Sequence, residues 1–193
     1  ERLGMIEVRS IATFLESLKL LHFGGPLRDA GIGSVSCSGG EASLMADCAL
    51  GTAIEWPAFT ADGKARLNAI LGPIVTVANP LDYHTFIWGD TARMTDCFAA
   101  VLSEDRALTV FVLDVPRADR CSAAGYRCAI DAIIAAQART GARAAVLTSL
   151  LDHALAPLGR GVLAGASSSS QTSMPSLASL SLSDAPSASS RVS

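Results

Sequence analysis

No apolar run in this 193-residue sequence reaches the ~20 residues needed to span a bilayer, because Asp, Arg or Gly interrupts each one. A soluble chain without a membrane partner is therefore expected. Basic excess is also missing: 15 Lys and Arg stand against 18 Asp and Glu, for a formal net charge of −3. With nothing to track a phosphate backbone, no nucleic-acid partner is expected. The five cysteines, Cys37, Cys48, Cys97, Cys121 and Cys128, form no C-x-x-C pair and no spacing with His that builds a zinc site, and their odd number argues against a disulfide framework. Cys48 and Cys97 fall on apolar helix faces, where a small buried hydrophobe is the expected role. There is no internal repeat at a solenoid period. No charged leader with an apolar stretch opens the chain, so the cytoplasm is the expected compartment. Glu1 in place of Met leads to the expectation that a longer polypeptide continues upstream.

What is present is an alternation of helices and strands. Ile11, Phe14, Leu15, Leu18 and Leu21 recur at helical spacing, which predicts an amphipathic helix over 10–22 capped by Ser10 and stopped at Gly24-Gly25-Pro26. A strand over 32–36 runs into Cys37-Ser38-Gly39-Gly40, and 41–51 has helical composition. Helix is then predicted over 62–70, strand over 74–78, a loop at Asn79-Pro80-Leu81-Asp82, and helix over 90–103. Strand follows over 108–113, a long helix over 122–139, strand over 144–147, and a last helix from near Asp152. The strands are continuous apolar runs, as burial on both faces of a parallel sheet requires. The expectation is a doubly wound α/β domain. From Ala166 onward the composition shifts to Ser, Ala, Pro and Thr, with too little apolar surface to offset the entropy of ordering, and disorder is expected over 166–193.

In an open parallel sheet, ligands bind beyond the carboxyl ends of the strands. Four segments follow strands: Cys37-Ser38-Gly39-Gly40-Glu41, Asn79-Pro80-Leu81-Asp82, Asp114-Val115-Pro116-Arg117 and Thr148-Ser149. In the first, two glycines allow close backbone approach while a helix start offers unpaired N–H groups, the makings of an anion site. Ser38 and Glu41 equally fit an S-x-x-E capping box, and Glu41 would repel a phosphate. The two readings stand side by side. Gly31 and Gly33 precede their strand, so they are no dinucleotide fingerprint. Ser38 lacks the spacing of a nucleophile elbow. Asp114 sits where a receiver-domain phosphoacceptor would, but the first strand brings no acidic pair to hold magnesium, and a loop or cap role is expected. Arg117 and Arg120 read as solvated. His22 and His153 read as surface residues of helices. His84 follows Asp82, which is close enough in sequence to orient or charge it, and a neutral loop histidine is the expected outcome.

The run IGSVSCSGGEASLMAD over 32–47, the segment around Pro57, and VANPLD over 77–82 resemble, in order and spacing, the second ligase-like subdomain of NDP-forming acyl-CoA synthetases. This is the ADP-forming acetate–CoA ligase family, related to succinyl-CoA synthetase. The similarity runs from about residue 1 to residue 160. It implies a flavodoxin-like, three-layer α/β/α domain over 26–165, led into by a helical segment over 1–25 from an upstream domain. It also implies that Ser38, Gly39, Gly40 and Glu41 form a phosphate-binding helix start, supported by a loop containing Asn79, Pro80 and Asp82. Such enzymes pass a phosphoryl group through a phosphohistidine lying between two helix N-termini.

The family's histidine segment, of the type S-H-T-G-A, belongs upstream of residue 1, so no catalytic residue and no metal ligand is expected in this chain. CoA, ATP or ADP, and Mg would be used by the complete enzyme without binding tightly here. The implied partners are a CoA-binding domain, the first ligase domain and an ATP-grasp domain, in the same or a partner chain. Over 158–166 the sequence departs from the family pattern and enters the serine-rich tail. Two other functions are compatible with the residues. One is a non-catalytic phosphate- or CoA-binding or domain-assembly module. The other is an acyl-transfer enzyme using Cys37 or Ser38 with His84.

Overall fold

The computed structural model of the chain describes residues 7–8, 10–116, 119–148 and 178–181. The expected helix near Asp152 lies outside them. The chain starts with α1 (Ile11–Gly24), where the Ser10 hydroxyl accepts from the Thr13 N–H and Gly25, at φ 67°, closes the end. Then come β1 (Ile32–Ser36), α2 (Gly39–Cys48), α3 (Ala61–Leu71) and β2 (Leu81–Asp82). They are followed by α4 (Thr91–Leu102), β3 (Leu108–Val112), α5 (Arg127–Thr140), β4 (Ala144–Thr148) and β5 (Ala178–Ser181). Side-chain oxygens of Thr60 and Asp90 cap α3 and α4. The helix predicted over 122–139 divides into a short 3-10 turn, Ala124–Tyr126, and α5.

All four strand pairings are parallel, in the order β2-β1-β3-β4-β5. This is the flavodoxin-like order, in which β1 and β3 are neighbours although β2 lies between them in sequence. Every residue of β1, β3 and β4 is buried. The reason is visible in where alternate residues point. Val35, Phe111, Ala144 and Val146 enter a core with Leu67, Met94, Phe98 and Ile133, from α3, α4 and α5. Ile32, Leu108, Val110, Val112, Ala145 and Leu147 enter a second core with Met45 of α2, Leu20 and Phe23 of α1, and Trp56. The sheet is thus the middle of three layers, and its continuous apolar strands follow from having two faces to bury. Gly33 belongs to this packing: a Cβ there would lie 2.9 Å from Thr109 Oγ1 and 3.0 Å from Arg106 Cδ.

Two elements differ from the sequence expectation. Residues 74–78 form no strand: Val75 and Val77 are buried in the first core while Ile74 is 77% exposed. The paired strand is Leu81–Asp82, where the sequence predicts a loop, with Leu81 opposite Val35 and Asp82 opposite Ser36. Pro80 has no N–H to donate to a ladder. The side chain of Asn79 bonds to β1 instead, accepting from the Ser34 N–H at 3.1 Å and donating to the Ile32 carbonyl at 2.8 Å, with a further bond to the Pro57 carbonyl at 3.0 Å. A primary amide presents one donor and one acceptor side by side, as the backbone does. β5, four residues within the serine-rich segment, pairs with β4 from Ala145↔Ala178 to Thr148↔Ser181. Ladder bonds use the backbone and do not require large apolar side chains.

Candidate functional site

The strand order reverses between β1 and β3, so the crevice beyond their carboxyl ends is where a ligand would lie. Cys37 leaves β1 and Ser38 begins α2. Ser38 is extended, at φ −140°, and among the described residues its hydroxyl makes no capping bond to the helix. The Ser36 hydroxyl donates to the Ser38 carbonyl at 3.1 Å. That carbonyl also accepts the first bond of α2, from the Ala42 N–H at 3.0 Å. The Gly39, Gly40 and Glu41 N–H groups precede that first bond and point out of the helix start. Both glycines are exposed. The Ser38 half of the capping box is therefore not formed, and the end of the helix is open.

Glu41 is half-buried, and its Oε2 finds no hydrogen-bond partner. Burial, then the charges of Asp114 and Asp82, push its carboxyl up to about 7, with the Cys37 backbone amide pulling weakly the other way. Near neutral pH the group holds a proton much of the time, which lessens the repulsion an anion would meet. Asp114, past the end of β3, accepts from the Thr148 hydroxyl at 2.9 Å, tying the ends of β3 and β4 together. The cap or loop role expected for Asp114 takes this form. Asp82 accepts from the His84 N–H at 2.8 Å, and its other oxygen lies 3.6 Å from His84 Nε2. It holds His84 as the sequence spacing suggests. His84 adopts φ 57°, and its ring stacks on Phe86 at 5.5 Å. The same carboxylate borders α2, since a Cβ on Gly39 would lie 3.3 Å from Asp82 Oδ2.

Two tyrosines complete the crevice. Tyr83 is buried against Phe98, and burial followed by the charge of Cys37 raises its hydroxyl. Tyr126, edge-on to Trp88 at 5.3 Å, is raised by burial and then by Cys37, Asp114 and Glu41. Tyr83 directly follows Asp82 and was accessible to the same post-strand reasoning. Tyr126 precedes a helix, and no sequence spacing ties it to the site. Burial, then Glu41, raises the Cys37 thiol, which disfavours Cys37 as the nucleophile of the acyl-transfer reading. Asn79 and Pro80 position β2 beside β1. Arg120 is exposed, with Asp119 at 3.8 Å, while Arg117 lies outside the described residues. Among the described residues no three His, Cys, Asp or Glu side chains come together as metal ligands, and no helix is long and apolar enough to cross a membrane. Cys97 is fully buried, its thiol pushed up to about 12 by burial, as expected of a core cysteine, whereas Cys48 is only partly buried.

No protein-family model matches the sequence, and no curated protein matches it. Solved structures do match in fold. PH0766 from Pyrococcus horikoshii OT3 superposes with a TM-score of 0.66 at 14% identity, over 84% of this chain and 36% of that one. The dinucleotide forming acetyl-coenzyme A synthetase 1 of Ca. Korarchaeum cryptofilum, in its apo form, gives 0.63 at 14% identity, over 82% and 34%. The same synthetase in complex with phosphate and ADP gives 0.60 at 13% identity, over 82% and 33%. The chain spans about a third of the length of each. It has the fold of a segment of these archaeal proteins, the acetyl-coenzyme A synthetase among them.

Proposed function

We propose that this chain is the second flavodoxin-like domain of an NDP-forming acyl-CoA ligase, and that the start of α2 stabilises the phosphoryl group in transit between thioester and nucleotide. The observation that carries this reading is the open end of α2 at the switch point, with Gly39 and Gly40 exposed and no hydroxyl cap. Fold likeness to a synthetase solved with phosphate and ADP supports it, as do the S-G-G-E-A and N-P-L-D segments. A phosphoryl group fits the outward N–H groups and the positive end of the helix. The nearby carboxylates oppose it, and Glu41 opposes it least while protonated. In this reading Ser38, Gly39, Gly40 and Glu41 surround the group. Asp82 limits its approach from the β2 side, and Asn79 with Pro80 holds that strand in place. The phosphohistidine, CoA, ATP or ADP and Mg belong to the CoA-binding, first ligase and ATP-grasp domains, in a cytoplasmic enzyme. No step of the chemistry is assigned to a side chain of this chain.

The alternative is a module that binds phosphate or CoA, or assembles domains, without contributing to a reaction. The anion site itself is tested first, with inorganic phosphate as probe. A Cβ on Gly40 would meet only Ser38 Oγ, at an ordinary 3.5 Å, so Gly40→Leu should fold while placing its side chain before the N–H groups. Phosphate titrated with the wild-type chain should show broadened phosphorus-31 resonances, and Gly40→Leu should weaken binding by roughly tenfold or more. Equal broadening with both proteins, or none with the wild type, would remove the anion site. If binding is confirmed, phosphorylation kinetics in a complete ligase carrying Gly40→Leu separate the two readings. Slowed transfer supports the ligase role, and unchanged transfer supports the passive module.

A further inference from the structure

The N-terminal helix carries two apolar sides, and the fold uses one. Leu20 and Phe23 pack into the second core. Around the helix, at 3.6 residues per turn, the opposite side lies about 180° away. There Ile11, Phe14, Leu15, Leu18 and Leu21 are 79%, 47%, 53%, 45% and 50% exposed. The stripe that sequence periodicity marks as the buried face of an amphipathic helix therefore points outward. A helix with one apolar side turned to its own core has no need of a second within the domain.

The geometry of this second side selects its partner. Ile11, Phe14, Leu18 and Leu21 are spaced three, four and three apart, the seam of a helix pair. Ser10, Ser17 and Gly24, all small, flank it at intervals of seven. The charged residues of that stretch, Glu16 and Lys19, lie off the seam and pair with each other at 2.6 Å. An uncharged seam offers nothing to a charged partner, but it complements itself. In an antiparallel pair with its two-fold axis level with residue 16, Ile11 faces Leu21 and Phe14 faces Leu18. On one flank Leu15 then lies beside Leu15 of the second copy, on the other Ser17 lies beside Ser17, and the helix dipoles oppose. One rotation satisfies every contact twice, as an isologous interface requires. At roughly 200 Å² per large apolar side chain and the exposures above, the stripe offers on the order of 500 Å² per copy. That is about 1,000 Å² across a pair, the lower end of specific interfaces.

We propose that α1 is a homodimerisation element, through which two copies of this chain pair α1 against α1, antiparallel, along Ile11, Phe14, Leu18 and Leu21. The inference does not depend on the proposed ligase role. Sedimentation equilibrium of the full chain tests it, in reducing buffer because Cys121 is exposed. A wild-type dimer with micromolar Kd is expected, from an interface of this size. Leu18→Glu should be monomeric at every concentration with unchanged far-ultraviolet circular dichroism. Leu18→Ala, which keeps the helix propensity, decides the matter should the charged variant fail to fold, and should weaken the dimer at least about tenfold. A wild-type monomer at about 100 μM would overturn the proposal and leave this face to a different polypeptide. A dimer that neither substitution weakens would overturn it equally.

Discussion

At the scale of single residues, Glu41 is where the site costs the fold something. Its folded-state carboxyl is raised from the ordinary 4.5 to about 7, with burial the largest cause. Below about pH 4.5 it is neutral in both states and contributes nothing. Between about 4.5 and 7 the unfolded chain ionises while the folded chain keeps its proton, so stability falls as pH rises, and above that window the loss is constant. Because the group is half exposed, solvent screening reduces the effect to on the order of 1 kcal/mol. Glu41→Gln should therefore stabilise the protein by that amount at pH 8 relative to wild type and by little at pH 4, read from urea unfolding at both values. An equal effect at both would show that the carboxyl does not titrate in this window. Ser38 contrasts with it. Without a capping bond, it marks a helix start left open where a closed one was equally compatible with the sequence.

At the scale of elements, one amide extends the short ladder between β1 and β2. Asn79 bonds to the Ser34 N–H and to the Ile32 and Pro57 carbonyls, in place of a ladder that Pro80 cannot complete. Asn79→Ala should cost about 2–4 kcal/mol, since it strands a strand N–H and a carbonyl next to the core. Asn79→Asp should cost a comparable amount, because a carboxylate keeps the acceptor but loses the donor and brings its charge toward two carbonyls. Denaturant midpoints measure both. A cost below about 0.5 kcal/mol for Asn79→Ala would mean that water replaces the amide. The N-P-L-D segment, part of the resemblance to the ligase family, has this structural task whatever the neighbouring helix binds.

At the scale of the molecule, the chain is one sheet with two cores and a crevice at the strand order reversal. It spans about a third of the solved structures that share its fold. The proposed function places the nucleotide and acyl chemistry in the remaining two-thirds of such a protein. The purified chain should therefore form no ATP from acetyl-CoA, phosphate and ADP above the level of a no-protein control. Turnover would contradict the domain reading and make His84, held by Asp82 at the crevice rim, the first residue to replace.

Periodicity and glycine punctuation were enough to determine the α/β class, the parallel sheet, the positions of α1, α4, α5, β1, β3 and β4, and the post-strand segments beside the crevice. They suffice because a strand buried on both faces has to be apolar throughout, and a helix cap or stop is a local, few-residue decision. Five things depended on contacts distant in sequence. The apolar pattern of 74–78 reads as a strand, but Val75 and Val77 bury without pairing, and Asn79 moves the ladder to Leu81–Asp82. Ala178–Ser181 joins the sheet through backbone bonds that composition does not record. Glu41 becomes unusual only when folding brings Asp82 and Asp114 near it, and Tyr126 reaches the crevice from a segment with no local signal. The apolar stripe of α1 is plain in the sequence, but which side of the helix meets the sheet was decided by Leu20 and Phe23, because burial is a property of the assembled layers and not of the helix alone.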